Sequence, residues 1–348
     1  MKTAILGRGW ITNHGCEESI VFDAILREAA PPISEIANPF NERIHHVTLV
    51  AKENYAEAEG FRRVRRSSMI TLLALTAAQR AIAQSCIPWT PEIAARTTLL
   101  FASSDGGVVY TRRFYSDVVK SGAGGASPLL FPETVYNAPA SHLCAFFGIE
   151  GEAMTLVGDA AVSATALQTA AEILESGAAD YCLVVGAEEL DWILCEAYST
   201  WQQTMDSHTQ RTTGAIFAEG AAALLLGRDG PFVCETFEGK TSEKRLAFKN
   251  ITDSTGITIT QIVSSANGTA LDAIERAWIE KNYSGIPVHA PKKTLGEALA
   301  AGTLQQVVFA QLLMEQNALK PGAGILVSMM GFTGGAGAVI LTPSKPQG

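Results

Sequence analysis

Positive charge is scarce in this chain: 26 lysines and arginines face 35 aspartates and glutamates, a net charge of −9 over 348 residues. That balance argues against a nucleic-acid partner, because phosphate contacts need lysines and arginines clustered on one basic face. The densest basic run, Arg62, Arg63, Arg65 and Arg66, precedes an apolar stretch from Met69 to Ala83 and reads as a solvated helix start. Cysteine is also sparse. Cys16, Cys86, Cys144, Cys182, Cys195 and Cys234 fall at irregular intervals with no CxxC pair and no histidine at zinc spacing, so reduced, mostly packed thiols and no metal are expected. No stretch approaches the roughly 20 uncharged apolar residues of a membrane span. The opening MKTAILGRGW has neither a long apolar core nor a cleavage site, so a cytoplasmic protein without a membrane partner is expected.

Phosphate-binding loops are missing as well. Gly7-Arg8-Gly9 follows a first apolar strand, but Thr12 stands where a third glycine would complete a dinucleotide fingerprint. A tight turn is the simpler expectation. The late run Gly331-Phe332-Thr333-Gly334-Gly335-Ala336-Gly337 has no Lys-Ser or Lys-Thr after it and reads as a loop that something approaches closely.

What is present is apolar material, 47% of residues against 18% charged, enough for a large core without disulfide or metal staples. Helical spacing marks Glu17 to Leu26 and Met69 to Ala83; buried-strand runs mark Thr3 to Gly7, Thr97 to Ala102, Met154 to Val157, Tyr181 to Gly186 and Ala221 to Leu226. Ala164 to Glu175 is a helix of small residues between two such strands, a βαβ unit that favours a parallel or mixed sheet. The polar break Arg228-Asp229-Gly230-Pro231 divides the chain into halves, 1–229 and a shorter 230–348. In the second half Thr258 to Val263, Gly324 to Ser328 and Ala338 to Leu341 read as strands, and Leu271 to Glu280 and Ala298 to Gln316 as helices. Their order loosely repeats the first half.

The most informative stretch is a strand ending at Val157, a tight Gly158-Asp159-Ala160 turn and a helix beginning near Ser163. Such an elbow aims a nucleophile along a helix N-terminus. Here it carries alanine. Ser163 is expected to cap the helix. Asp159 and the pair Glu188-Glu189 are expected to bond backbone amides or face water rather than to act as paired acids. Cys182 on a strand and Cys195 on a helix are expected to be packing residues.

From Ser127 to Ala138, and without gaps from Gly151 to Gly186, the chain resembles the β-ketoacyl synthases of the thiolase superfamily. Phe217-Ala218-Glu219-Gly220-Ala221-Ala222 is similar to that family's GEGAA segment, and Met330 to Gly335 to its GFGG loop. The stretch from about Pro231 to Thr258 matches poorly. The resemblance implies an α/β thiolase-like fold of two related βαβ halves packed as αβαβα layers. It places Ala160 where the family has its acyl-accepting cysteine. Ala266-Asn267-Gly268-Thr269 stands in for the first histidine motif, putting Asn267, or else Ser264 or Ser265, at that position. Lys292-Lys293-Thr294-Leu295-Gly296-Glu297 stands in for the second, with Glu297 at the histidine and the family lysine retained as Lys292. None of His14, His45, His46, His142, His208 and His289 matches either position.

The resemblance then implies a subunit that cannot condense by the family mechanism, since thiol and both imidazoles are gone. Such chains look like chain length factors, partners of an active ketosynthase in type II polyketide or fatty-acid systems, here with features of the aryl-polyene type. The implied interface and acyl channel involve Leu130, Phe131, Thr134, Tyr136, Met154 and Leu156, with Phe332 at the gating position. No cofactor is implied; substrate would arrive on the phosphopantetheine of an acyl carrier protein. Two other readings remain open: a malonyl-carrier decarboxylase or other thioester enzyme acting alone, and a carrier-binding homodimeric scaffold.

Overall fold

The computed structural model describes residues 2–62, 64, 67–201, 203–204, 213–242, 245–248 and 256–344. Arg63, Arg65 and Arg66 of the basic run and His208 lie outside them. The first half runs β1 (Lys2–Ile11), α1 (Glu18–Leu26), β2 (Ser34–Ala37), β3 (Ile44–Thr48), α2 (Ala56–Gly60), α3 (Met69–Gln84), α4 (Pro91–Ala95), β4 (Thr97–Ser103) and α5 (Val108–Ser121). It continues with α6 (Ala138–Phe147), β5 (Ala153–Val157), α7 (Val162–Ser176), β6 (Tyr181–Glu188), α8 (Trp192–Thr200), β7 (Phe217–Ala218) and β8 (Gly220–Gly227). The second half runs β9 (Phe232–Ser242), β10 (Arg245–Phe248), β11 (Thr258–Val263), α9 (Leu271–Asn282), β12 (Val288–His289) and α10 (Lys292–Leu295). It ends with α11 (Leu299–Gln316), β13 (Ala323–Met330) and β14 (Gly335–Pro343).

The duplication that element order only suggested is explicit in the strand pairing. The main sheet runs β5-β4-β6-β8-β1 and then β9-β14-β13-β11-β12, so the strands of each half, counted in chain order, lie 3-2-4-5-1. Orientation repeats too. β4 is parallel to β5 and β6 while β8 is antiparallel to β6 and β1; β11 is parallel to β12 and β13 while β14 is antiparallel to β13 and β9. The halves join edge to edge where Lys2 to Ile5 pair with Glu235 to Phe232, so the sheet is continuous across the 228–231 break. A small sheet, β2-β3-β7, lies apart.

Alternating side chains serve two cores at once. Leu100, Val184 and Leu224 face a central layer with α7 and α11, whereas Leu99, Leu183 and Leu225 face an outer layer with α3 and α6. In the second half Ile325, Val327 and Val339 face the same central layer, and Leu326 and Ile340 face α9 outside. This is the αβαβα stack, and it explains why the strands read as unbroken apolar runs. α11 sits in the middle, buried along almost its whole length, and from Leu299 to Met314 it carries no charge. A helix enclosed on all sides needs that composition. Two of its buried glutamines donate to backbone carbonyls, Gln306 to those of Ser264 and Ser328 and Gln305 to that of Ile11, while Gln306 Oε1 and Gln311 Oε1 meet no partner among the described residues.

Three local expectations change. Gly7 and Gly9 lie inside β1 rather than in a turn after it, and a Cβ on either would fall on α3 backbone carbonyls, those of Ala81 and Ala77. Glycine lets the helix lie directly on the strand. The late glycine run is a loop only to Gly334; Gly335 to Gly337 open β14, where a Cβ on Gly337 would meet that of Ala164 in α7. Ser163 does not cap α7, for its hydroxyl donates to the Ala300 carbonyl at 2.7 Å and ties α7 to α11. The poorly matching stretch after Pro231 contains the β9–β10 hairpin.

Candidate functional site

The elbow is held from several sides. β5 ends at Val157, and the Asp159 carboxylate accepts from the Ala161 amide at 3.1 Å and from the amide and hydroxyl of Thr333. A Cβ on Gly331 would collide with that carboxylate, so the glycine loop and the elbow interlock. Asp159 is thus a structural acceptor. Ala160 is fully buried, and its carbonyl accepts from Thr303 Oγ1 in α11.

Above the Ala160 methyl is a wall of carbon. Ala160 packs with Tyr198, Ala215, Phe217 and Leu299, and the half-buried Leu190, Leu194 and Phe332 complete the cluster. Tyr198 and Phe217 stack with ring centroids 4.3 Å apart, and Phe332 lies 6.1 Å from each. Phe332 thus packs against the cluster that holds Ala160. Tyr198 and Phe217 were not singled out: Tyr198 lies on α8 with no motif around it, and Phe217 sat unremarked at the head of a recognised segment.

The other expected positions converge although 30 residues separate them. Glu297 accepts from Asn267 Nδ2 at 2.6 Å, from Lys292 Nζ at 2.8 and 3.0 Å, and from the Leu299 amide at 2.8 Å. The side chains of Lys292 and Glu297 are 2% and 0% exposed. Asn267 is fixed in turn: its Oδ1 accepts from the hydroxyl and amide of Thr269, and Asp272 takes the amides of Asn267 and Gly268. Ser264 and Ser265 are engaged elsewhere, Ser264 donating to Glu275 at 2.6 Å and the Ser265 amide to the same carboxylate. Asn267, not either serine, faces Glu297. Asn267, Lys292 and the Leu299 amide thus all donate to that one buried carboxylate.

Carboxylates line the ends of the neighbouring strands, where they bind backbone amides. Glu188 takes the amides of Ser104 and Asp105, Glu189 those of Ile70 and Val109, and Glu219 that of Val50. Burial pushes Glu189 and Glu219 up to about 7. Burial likewise lifts Asp105 to about 6 against a hydrogen bond from the Tyr198 hydroxyl, and raises Glu188 well above the usual range, reinforced by Asp105. Cys182, Cys195 and Cys234 are buried, with their thiols pushed up to about 12, which disfavours the thiolate. Of the described histidines, His45 stands against Glu196, His142 against Glu133 and His289 against Gln261, while His14 bonds the backbone of Thr294.

Leu130, Phe131, Thr134 and Tyr136 form a second, separate feature at the sheet edge. β5 pairs only with β4, leaving its other side open, and its half-buried Met154 and Leu156 pack against the central core. The loop rides on α5: the Thr111 hydroxyl reaches the Thr134 carbonyl, Phe114 meets Phe131 at 5.7 Å, and the Tyr136 ring covers Gly106, whose φ of +65° suits glycine. Leu129, Phe131, Val135, Tyr136 and, on α5, Tyr115 and Val119 are all exposed.

Among the described residues no helix is long and apolar enough to cross a membrane, and no group of three metal-ligating side chains occurs. Fold and elbow together define a ketosynthase-like, thiolase-type protein with Ala160 at the elbow. The model of the β-ketoacyl synthase N-terminal domain matches residues 37–230, more than half the chain, and the chain belongs to that family. Its fold is similar to that of a β-ketoacyl synthase from Burkholderia phymatum (TM-score 0.79, 16% identity, covering 99% of this chain and 100% of the other). It is similar also to the ishigamide ketosynthase/chain length factor (0.77, 16%, 99% and 100%). A third likeness is to the ketosynthase ApeO in complex with its chain length factor ApeC from Xenorhabdus doucetiae (0.77, 17%, 98% and 98%).

Proposed function

We propose that this chain is a non-condensing subunit, a chain length factor, that pairs with a cysteine-bearing ketosynthase and shapes the channel in which a polyketide or polyene chain grows on a carrier-protein arm. The carrying observation is Ala160: the one position at the start of α7 from which a thiol would attack holds a fully buried methyl. The Lys292–Asn267–Glu297 cluster is consistent with this, because Lys292 and Asn267 both donate to an internal carboxylate where a thioester oxyanion would need them. The open β5 edge and its apolar loop supply the surface for a partner, since an unpaired edge beside exposed Leu129 and Phe131 is costly to leave in water. The narrower assignment, to an aryl-polyene system, belongs to the same proposal.

Co-expression with the cysteine-bearing ketosynthase of the same system tests it. The expected result is a stable one-to-one complex that elongates a carrier-bound chain, with no elongation by this chain alone. Failure to capture any such ketosynthase would overturn the reading. So would carbon dioxide release from malonyl-carrier protein by the isolated chain that disappears on Asn267→Ala or Lys292→Met.

A further inference from the structure

The region over Ala160 is closed by the chain itself. Tyr198 from α8, Phe217 from β7 and Phe332 from the glycine loop meet there, and Ala160, Tyr198, Phe217 and Leu299 are all buried. Three separate elements converge, and each is anchored. Tyr198 donates its hydroxyl to Asp105 at 3.2 Å, Phe217 is held by backbone bonds from Ala218 to the Glu297 carbonyl and from Glu297 to the Ile216 carbonyl, and the Phe332 loop is tied through Thr333 to Asp159. The floor is anchored too, by Thr303 on the Ala160 carbonyl and by Leu299, which enters α11 at φ +46° with its amide on Glu297. An acyl thioester needs a carbonyl carbon within bonding reach of the group at position 160 and a slot for the arm behind it. Ala160, wholly buried in the cluster that these rings form, is left with neither.

We infer that Tyr198, Phe217 and Phe332 form an aromatic seal that keeps acyl and pantetheine groups out of this subunit, so that its inactivity does not rest on the missing sulfur alone. The seal determines where substrate can be: the growing chain occupies only the partner's pocket and the shared edge at β5, never a second pocket over Ala160. The inference rests on reading Ala160 as the nucleophile position. It also assigns Tyr198 a positioning role, because its anchor Asp105 precedes Gly106, on which Tyr136 of the partner-facing loop is seated.

The test returns the sulfur and asks whether anything reaches it. In the isolated full chain carrying Ala160→Cys, iodoacetamide labelling is followed by peptide mass spectrometry, with the exposed Cys86 as internal reference. The introduced thiol is expected to label about a hundredfold more slowly than Cys86 and to take no acyl group from an acyl-carrier protein. Adding Tyr198→Leu, or Phe332→Ala alone on the half-buried loop should the first variant not fold, is expected to bring labelling to within about tenfold of Cys86. The opened variants should also transfer acyl: the introduced sulfur bonds to the acyl carbon, the carbon–sulfur bond to the pantetheine breaks, and the thiol proton ends on the departing pantetheine sulfur. Rapid labelling or acylation of Ala160→Cys by itself overturns the seal, and so do opened variants that stay as unreactive as the single one. Because the readout needs no partner, it fails or succeeds independently of whether a ketosynthase is captured.

Discussion

Replacing Glu297 by glutamine should be among the most damaging single-atom changes in the molecule. The carboxylate is wholly enclosed and meets a Lys292 ammonium that is itself 2% exposed. Glu297→Gln leaves the amide oxygen to serve the Leu299 N–H but strands a buried cation, a loss of about 3–5 kcal/mol for breaking one side of a buried pair. Lys292→Met leaves the anion with two neutral donors, Asn267 and the Leu299 amide, and should cost about 3 kcal/mol. With both changes together no charge remains to be stranded, so the double variant should return to within roughly 1 kcal/mol of the parent. Urea unfolding followed by far-ultraviolet circular dichroism, at matched denaturant slopes, gives the three free energies and their coupling. Single changes costing less than about 1 kcal/mol, or a double variant as unstable as the two losses summed, would refute the argument that this pair is sustained by mutual charge compensation in a dry site.

Stability should fall as pH rises from about 5 to 8. Asp105, Glu189 and Glu219 hold their protons to about 6, 7 and 7 in the folded chain, whereas the unfolded chain releases them near 4, so the folded state binds more protons across that window. Glu219→Gln should flatten the slope in a pH series of unfolding midpoints, and an unchanged slope would contradict the burial origin of the shift. Gly9→Ala places a methyl on the Ala77 carbonyl of α3 and should cost about 3 kcal/mol by thermal unfolding, since neither backbone can withdraw. Phe131→Asp, on an exposed side chain, should leave the isolated chain as stable as before but weaken capture of a ketosynthase at least about tenfold by pull-down titration; equal capture would remove the 127–137 loop from the interface.

The chain's sequence by itself determined the strands and the elbow with its alanine. Thr97 to Ala102, Tyr181 to Gly186 and Ala221 to Leu226 read as apolar runs because each is buried on both faces, and the lack of charge from Leu299 to Met314 follows from the same enclosure. The elbow was legible because strand, turn and helix are neighbours in the chain, so its register, and the alanine in it, needed no folding to be seen. The tertiary structure alone decided what meets that alanine. Tyr198, Phe217 and Phe332 come from three separate elements, and it is Asn267, not Ser264 or Ser265, that meets Glu297. Gly7 and Gly9 likewise looked like a turn until α3 was seen lying on them, and Ser163 like a cap until Ala300 was seen across from it. Local periodicity reports which face of an element is dry; which other element dries it is set by packing across the layers, and the sealed site is made of such long-range contacts.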